Sequence, residues 1–317
     1  MFDTKIAYAG YYIPENKLPV ADLINMVRDE DIPAVFADKE AYAAFIKDEL
    51  KVDAIRVEEN LNDREMLANT VEQIFMAGLV DPGEIDLVIL AQEEDQRQIL
   101  NLGQYIQYEF EMDNAYVLNL DGNHCANIDH ALTLASQIAN KNERINNILI
   151  LGNVKVEKPV SRLVGTYGVL SDGSGAMLLK KNAGGPGLMS SRIVSAGRFH
   201  EVNLNRDDSL ILCKYYVKTL RELLERSNTG PDAITHIITQ NANPLLINQC
   251  LEMVGLDVGK VFSANQTKYS HLDCLDFLVN LKDLMTEIET TKKQGLILSF
   301  GTGWAGSFIS SLLSYDS

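Results

Sequence analysis

Residues 123 to 131 read NHCANIDHA and place Cys125 beside His124, where a loop gives way to a helix. The partial positive charge of a helix N-terminus lowers a cysteine's pKa, and the thiolate it favours is the reactive form. Cys125 is therefore a candidate nucleophile, with a buried thiol packing a helix start as the alternative. Cys213, Cys250 and Cys274 carry no such local signal and are expected to be core thiols.

A nucleophilic thiol needs a base, and the chain has five histidines. His271 stands in SHLDCLD, with Asp276 five residues later, just inside the helix that follows. Side chains at a helix start lean back toward its N-terminus, so the Asp276 carboxylate reaches toward one ring nitrogen of His271. The other nitrogen then faces Cys125, giving a Cys-His-Asp arrangement. Asp273 is the substitute for Asp276, and helix capping or first-turn charge is the alternative duty of both. Neighbouring residues at a helix start point in different directions, which sets His124 apart from the Cys125 sulfur. His130 lies more than one turn into the helix, and His200 and His236 sit in no motif.

Two similar halves must bring these residues together. Strands and helices alternate along the chain, the pattern of an α/β protein with largely parallel, buried strands. In the first half IDLVILA and AYVLNL are strands flanking the helical NLGQYIQYEFEM. The cysteine loop, a helix over about 126–140 and the strand NNILILGN follow. The second half repeats the order: AITHIITQ, the helical PLLINQCLEMVG, KVFSAN as a strand, the His271 loop, the helical DCLDFLVNLKDLMTEIET and the strand GLILSFGTG. Asp86 to Cys125 and His236 to His271 are comparable stretches, so Cys125 and His271 occupy equivalent loops at the carboxyl ends of equivalent strands. Ligands bind at that edge of open parallel sheets. If the halves pack face to face about a pseudo-two-fold axis, the two loops converge. NAGGPG marks the division, with one half over 1–180 and the other over 181–317.

Composition excludes several classes. With 46% hydrophobic and 23% charged residues, the chain reads as an ordinary globular protein. No apolar run approaches the roughly 18 residues of a membrane span, and the N-terminus lacks a secretory pattern, so a cytoplasmic protein without a membrane partner is expected. The four cysteines show no metal-site spacing, and no metal is expected. A formal charge of -16 with no basic stripe argues against nucleic acid.

Five stretches, in order, resemble the thiolase-fold ketoacyl synthase III family, and the resemblance covers nearly the whole chain. IAYAGYYIPENKLPVADL resembles its opening strand and turn, and IFMAGLVDPGEIDLVILA the helix leading to its third strand. LDGNHCANIDHAL resembles the nucleophile loop, GVLSDGSGAMLL the FGDGAGA turn, and LSFGTGWAGSFIS the glycine-rich C-terminal loop. The resemblance implies two pseudo-symmetric halves in a five-layered αβαβα sandwich, a two-fold homodimer paired through AYVLNL, and acylation of Cys125 by a thioester. The oxyanion donors would be the Cys125 N–H and one from the Gly301–Gly303 loop, Thr302 or Gly303.

Two departures bear on mechanism. The family's HQAN motif is here QNAN, placing Gln240 where a histidine is usual and ending on Asn243, and its GNTS is here SHLD, placing His271 where an asparagine is usual. In the family that histidine and asparagine together stabilise the carbanion-like species left by decarboxylation, so the pattern resembles the branch that passes acyl groups to a hydroxyl or amine. Gln240, Asn243 and Asp273 are expected to line the site, and loss of His271 is expected to leave acyl loading intact while slowing transfer. The alternatives are a decarboxylating synthase III-type condensing enzyme and a non-catalytic partner subunit of a ketosynthase heterodimer. No tightly bound cofactor is implied. The donor is a phosphopantetheine thioester on an acyl carrier protein or coenzyme A, the carrier favoured because the family's nucleotide-binding tryptophan and arginine are missing and Trp304 is the one tryptophan. Lys155, Lys158 and Arg162 are the candidate basic patch for an acidic carrier. The acceptor is a small molecule.

Overall fold

The computed structural model describes residues 2–92, 101–199, 209–289, 294–304 and 306–315. The first sheet holds β1 (Thr4–Tyr12), β2 (Leu87–Ala91), β3 (Tyr116–Leu120), β4 (Asn147–Val154) and β5 (Gly173–Lys181), in the order β1-β5-β4-β2-β3. The second holds β6 (Gly187–Ser195), β7 (His236–Thr239), β8 (Gly295–Gly303) and β9 (Ser307–Tyr315), in the order β6-β9-β8-β7. The hydrogen-bonding senses repeat too. β4 pairs parallel with β2 and antiparallel with β5, as β8 pairs parallel with β7 and antiparallel with β9.

The sequence reading departs from the structure at KVFSAN. Only a single parallel bridge, Ile237 to Val261, occupies the place that β3 fills in the first half. Val261 and Phe262 are the one apolar pair there, and the chain turns into a helix over Ala264–Tyr269 before a strand can extend.

Alternation along the strands assigns each sheet face to a helix layer. Helices α1 (Asp63–Met76) and α2 (Leu102–Glu109) cover one face of the first sheet, where Val88, Leu90, Leu149 and Leu151 meet Leu67, Val71 and Ile106. Between the sheets lie α3 (Asn127–Lys141) and α6 (Asp276–Glu289), one from each half. Ile89 and Ile150 of the first sheet and Ile297 and Leu313 of the second share a core with their Ile128, Ala131, Phe277 and Leu278. On the far face of the second sheet, α4 (Ser209–Ser227) and α5 (Pro244–Glu252) bury Leu220, Leu223 and Ile247 against Leu298, Phe300 and Leu312. The result is an αβαβα sandwich whose central layer consists of the two helices that follow the cysteine and histidine loops.

Candidate active site

Both central helices begin in the same way. Cys125 lies in a short 3-10 turn, His124–Ala126, opened by a left-handed residue (His124, φ 47°) and running into α3. The second half has the turn Asp273–Leu275, opened by Asp273 (φ 52°) and running into α6. The Asn127 side chain accepts from the Asn123 amide at 3.2 Å, and the Asp276 carboxylate accepts from the Leu272 amide at 2.8 Å. By this correspondence Cys274 is the counterpart of Cys125 and Asp276 that of Asn127, while His271 stands two residues ahead of its turn.

That offset brings His271 to the sulfur. Its Nε2 lies 3.3 Å from Cys125 Sγ and its Nδ1 2.5 Å from Asp276 Oδ2. Asp276 also accepts from Leu272 N on Oδ1 and from Asn241 N on Oδ2, each at 2.8 Å. A carboxylate surrounded by donors is a pure acceptor, so Nδ1 carries the hydrogen and the Nε2 lone pair faces the thiol. All three side chains are buried. Asp273, the substitute, stands instead beside the thiol and hydrogen-bonds with it.

The loop preceding β5 fixes the histidine. His271 N donates to Val169 O at 3.2 Å and its carbonyl accepts from Ser171 N at 2.8 Å. Gly168 lies against the ring, where an added Cβ would stand 3.3 Å from His271 Cβ. The Tyr167 ring meets the imidazole edge-on, centroids 5.8 Å apart. This loop is anchored by a buried bidentate pair, Arg162 Nη1 and Nη2 donating to Asp172 Oδ1 and Oδ2 at 2.8 and 2.9 Å.

Electrostatics revise one sequence expectation. The Cys125 thiol is pushed up, first by burial, then by the charge and hydrogen bond of Asp273 and the charge of Asp276. Burial and two carboxylates outweigh the helix terminus, and the sulfur rests as a thiol. Burial pulls His271 down, but the charge and hydrogen bond of Asp276, with the Asp273 charge behind, carry it above the ordinary histidine value. The imidazole is thus a stronger base than a free histidine, opposite a thiol that needs one.

Gln240 occupies the junction of the two loops, but not as a lining residue open to substrate. Its Nε2 donates to Cys125 O at 3.1 Å and Thr302 O at 2.9 Å. Its Oε1 accepts from Tyr167 Oη at 2.5 Å and Thr302 N at 3.1 Å. The Thr302 amide, expected as an oxyanion donor, is therefore engaged by Gln240 Oε1. Gly303 is a point of close approach: an added Cβ would lie 1.8 Å from Asn123 O. Asn243 does not line the site either. It caps α5, accepting from Leu245 N and Leu246 N at 3.1 Å each, and donates to Thr166 O at 3.0 Å.

Other expected residues fall elsewhere. His130 Nε2 pairs with Ser307 Oγ at 2.7 Å, and burial drives the ring down to about 4, so it is neutral. His236 Nδ1 sits between Thr235 Oγ1 and Tyr315 Oη, 3.2 Å from each, and His200 lies outside the described residues. The proposed basic patch is largely consumed: Arg162 is in its buried pair and Lys155 donates to Leu61 O, leaving Lys158 exposed. Sequence reasoning missed Tyr167 and Tyr216, whose hydroxyls are 2.8 Å apart, and the packing of Trp304 on Tyr167 with centroids 5.6 Å apart. The one signal for Tyr167 is its place in the glycine-flanked GTYG, which marks a turn but no partner.

Among the described residues no group of histidine, cysteine, aspartate and glutamate could hold a metal ion, and no helix is long and apolar enough to cross a membrane.

The architecture and the facing loops define a thiolase-fold protein. No family model matches the chain. It is 23% identical over 324 residues to the beta-ketoacyl-[acyl-carrier-protein] synthase III of Aquifex aeolicus, covering 98% of this chain and 99% of that protein. The crystal structure of the Aquifex synthase aligns over 98% of this chain and 100% of its own with a TM-score of 0.80. The acyltransferase ChlB3 aligns over 99% and 98% at 16% identity with a TM-score of 0.82. Xanthomonas campestris OleA, crystallised as a cysteine-to-serine variant with lauric acid and lauroyl-CoA, aligns over 98% and 99% at 13% identity with a TM-score of 0.81. The chain therefore has the thiolase fold and resembles the ketoacyl synthase III proteins along nearly its whole length. These relatives support an enzyme of the transferase and condensing class.

Proposed function

We propose that the protein is an acyltransferase that takes an acyl group from a thioester onto Cys125 and passes it to a hydroxyl or amine. One observation carries this reading: His271 bridges Cys125 Sγ and the Asp276 carboxylate, while Gln240 spends its amide on Cys125 O, Thr302 O, Tyr167 and the Thr302 amide. A base opposite a thiol suits heteroatom transfer. The paired donors that steady a decarboxylated carbanion in the condensing relatives have no counterpart in that arrangement.

In the first half-reaction Nε2 takes the thiol proton as Sγ attacks the thioester carbonyl. The tetrahedral intermediate expels the donor thiolate, which takes the proton back from the imidazolium. In the second, Nε2 takes a proton from the acceptor O–H or N–H as it attacks the acyl-cysteine. Cys125 leaves as a thiolate and is reprotonated, while Asp276 holds the Nδ1 hydrogen throughout.

A carrier-borne donor is the reading favoured for the partner. The α4 helix exposes Lys214, Lys218, Arg221 and Arg226 interspersed with Glu222 and Glu225, a net positive surface in a chain of charge -16, and on its buried side Tyr216 reaches Tyr167. An acidic carrier finds its complement there. The similarity to ChlB3 supports acyl transfer, and the synthase III relatives favour the alternative of decarboxylating condensation.

Intact-mass measurement after incubation with acyl-carrier and acyl-coenzyme A donors tests the reading. One acyl mass per chain is expected, lost in Cys125→Ala. Equal labelling of the alanine variant would remove Cys125 from the mechanism.

A further inference from the structure

Two thiols outside the active site are placed to react with each other. Cys213, near the start of α4, and Cys250, near the end of α5, face each other across the helix contact with sulfurs 2.9 Å apart. Non-bonded sulfurs do not ordinarily come so close, and a thiol–thiol hydrogen bond is too weak to be a reason for it. Met253 Sδ lies 3.6 Å from Cys213 Sγ.

The two differ in access. Cys213 lines a cleft of about 430 Å³ with Leu210, Leu246, Gln249, Glu252 and Met253, and Leu210 and Met253 are themselves exposed at its rim. Cys250 is fully buried behind it. A small solute entering the cleft therefore meets Cys213 first.

We propose that Cys213 and Cys250 form a redox site: a dithiol that closes to a disulfide under a peroxide oxidant and reopens under a thiol reductant, locking α4 to α5. The Cys213 sulfur attacks the peroxide O–O bond, becoming a sulfenic acid and releasing one water. The Cys250 sulfur then displaces the sulfenic oxygen, which leaves with the thiol proton as a second water. Two thiols lose two hydrogens and two electrons, and hydrogen peroxide is reduced to two waters. Burial and the hydrogen bond with Cys213 hold the Cys250 thiol up, which suits a resolving partner and not the first to react. The site is independent of acyl transfer, although α4 also carries Tyr216, whose hydroxyl is 2.8 Å from that of Tyr167. Closing the disulfide fixes the helix that supports this contact.

The test is peptide mapping of the full-length chain exposed to hydrogen peroxide, alkylated under denaturing conditions and digested without reduction. A cross-linked peptide pair containing Cys213 and Cys250 is expected, lost on treatment with dithiothreitol. The oxidised chain is also expected to unfold at a higher temperature than the reduced one. Cys213→Ser and Cys250→Ser should each abolish both the cross-link and the shift. The proposal is overturned if both cysteines remain alkylatable after peroxide, if Cys213 runs on to sulfinic acid without a cross-link, or if either pairs instead with Cys125 or Cys274. Mapping keeps oxidation of Cys125 separate from this outcome.

Discussion

His271 is asked to do two things, and its surroundings equip it for both. Asp276 fixes the Nδ1 hydrogen and raises the ring's basicity, while Cys125, held as a thiol by burial and carboxylates, waits for a base. His271→Ala should therefore slow acyl loading and transfer alike by about a hundred- to ten-thousand-fold, read as acyl mass against time and as turnover. Loading at the wild-type rate would show that Cys125 activates itself. The pH dependence has a definite sign. The base must be neutral, so the rate rises as His271 loses its proton, and its raised pKa sets that limb above the ordinary histidine value. Asp276→Asn removes the largest raising cause, so the limb should move to lower pH while the maximal rate falls. A limb that stays in place would assign the titration to another group. At this scale the sequence was informative where partners are close in the chain: His271 and Asp276 lie five residues apart across a helix start, and side-chain direction links them. It marked Gln240 by its place in QNAN but was silent on its partners at 125, 167 and 302, which converge only through the fold.

Elements position the site through close backbone approaches. Where β8 meets the cysteine turn, Gly303 leaves no room for a side chain, because the neighbour is the Asn123 carbonyl and cannot rotate away. Gly303→Ala should cost about 1–3 kcal/mol or more and displace the Cys125 loop, lowering both thermal stability and acyl loading. Unchanged loading would mean the two loops move independently. The exposed cations of α4 give a second test. Lys214→Glu with Lys218→Glu should raise KM for a carrier-borne donor severalfold and leave a coenzyme A donor nearly unaffected, and an equal effect on both would dismiss α4 as the docking face. Repetition between halves was legible because β2 and β7, and α3 and α6, keep the same apolar patterns. KVFSAN was misread because its two apolar residues fit a strand, yet a helix-forming run follows directly. The basic patch was misjudged for another reason: composition counts Arg162 as a surface charge, whereas the fold buries it against Asp172.

At the scale of the whole molecule, the sandwich sets its two central helices end-on to the same point, which is how residues from opposite halves meet. The first sheet ends at β3, a partly exposed edge strand with Tyr116 turned to solvent. Such edges invite pairing with another chain. Light scattering should give about twice 35.2 kDa, through β3 of two copies, and a strict monomer at micromolar concentration would contradict that assembly. Transfer to a heteroatom differs from condensation most plainly in the fate of carbon. Wild-type protein can be given a malonyl thioester labelled in its free carboxyl carbon, together with a second acyl thioester to prime Cys125. Heteroatom transfer requires that labelled carbon dioxide stay at the level of the Cys125→Ala background, with any malonyl group that is used passing intact to its acceptor. Labelled carbon dioxide released in step with a carbon–carbon product would contradict it.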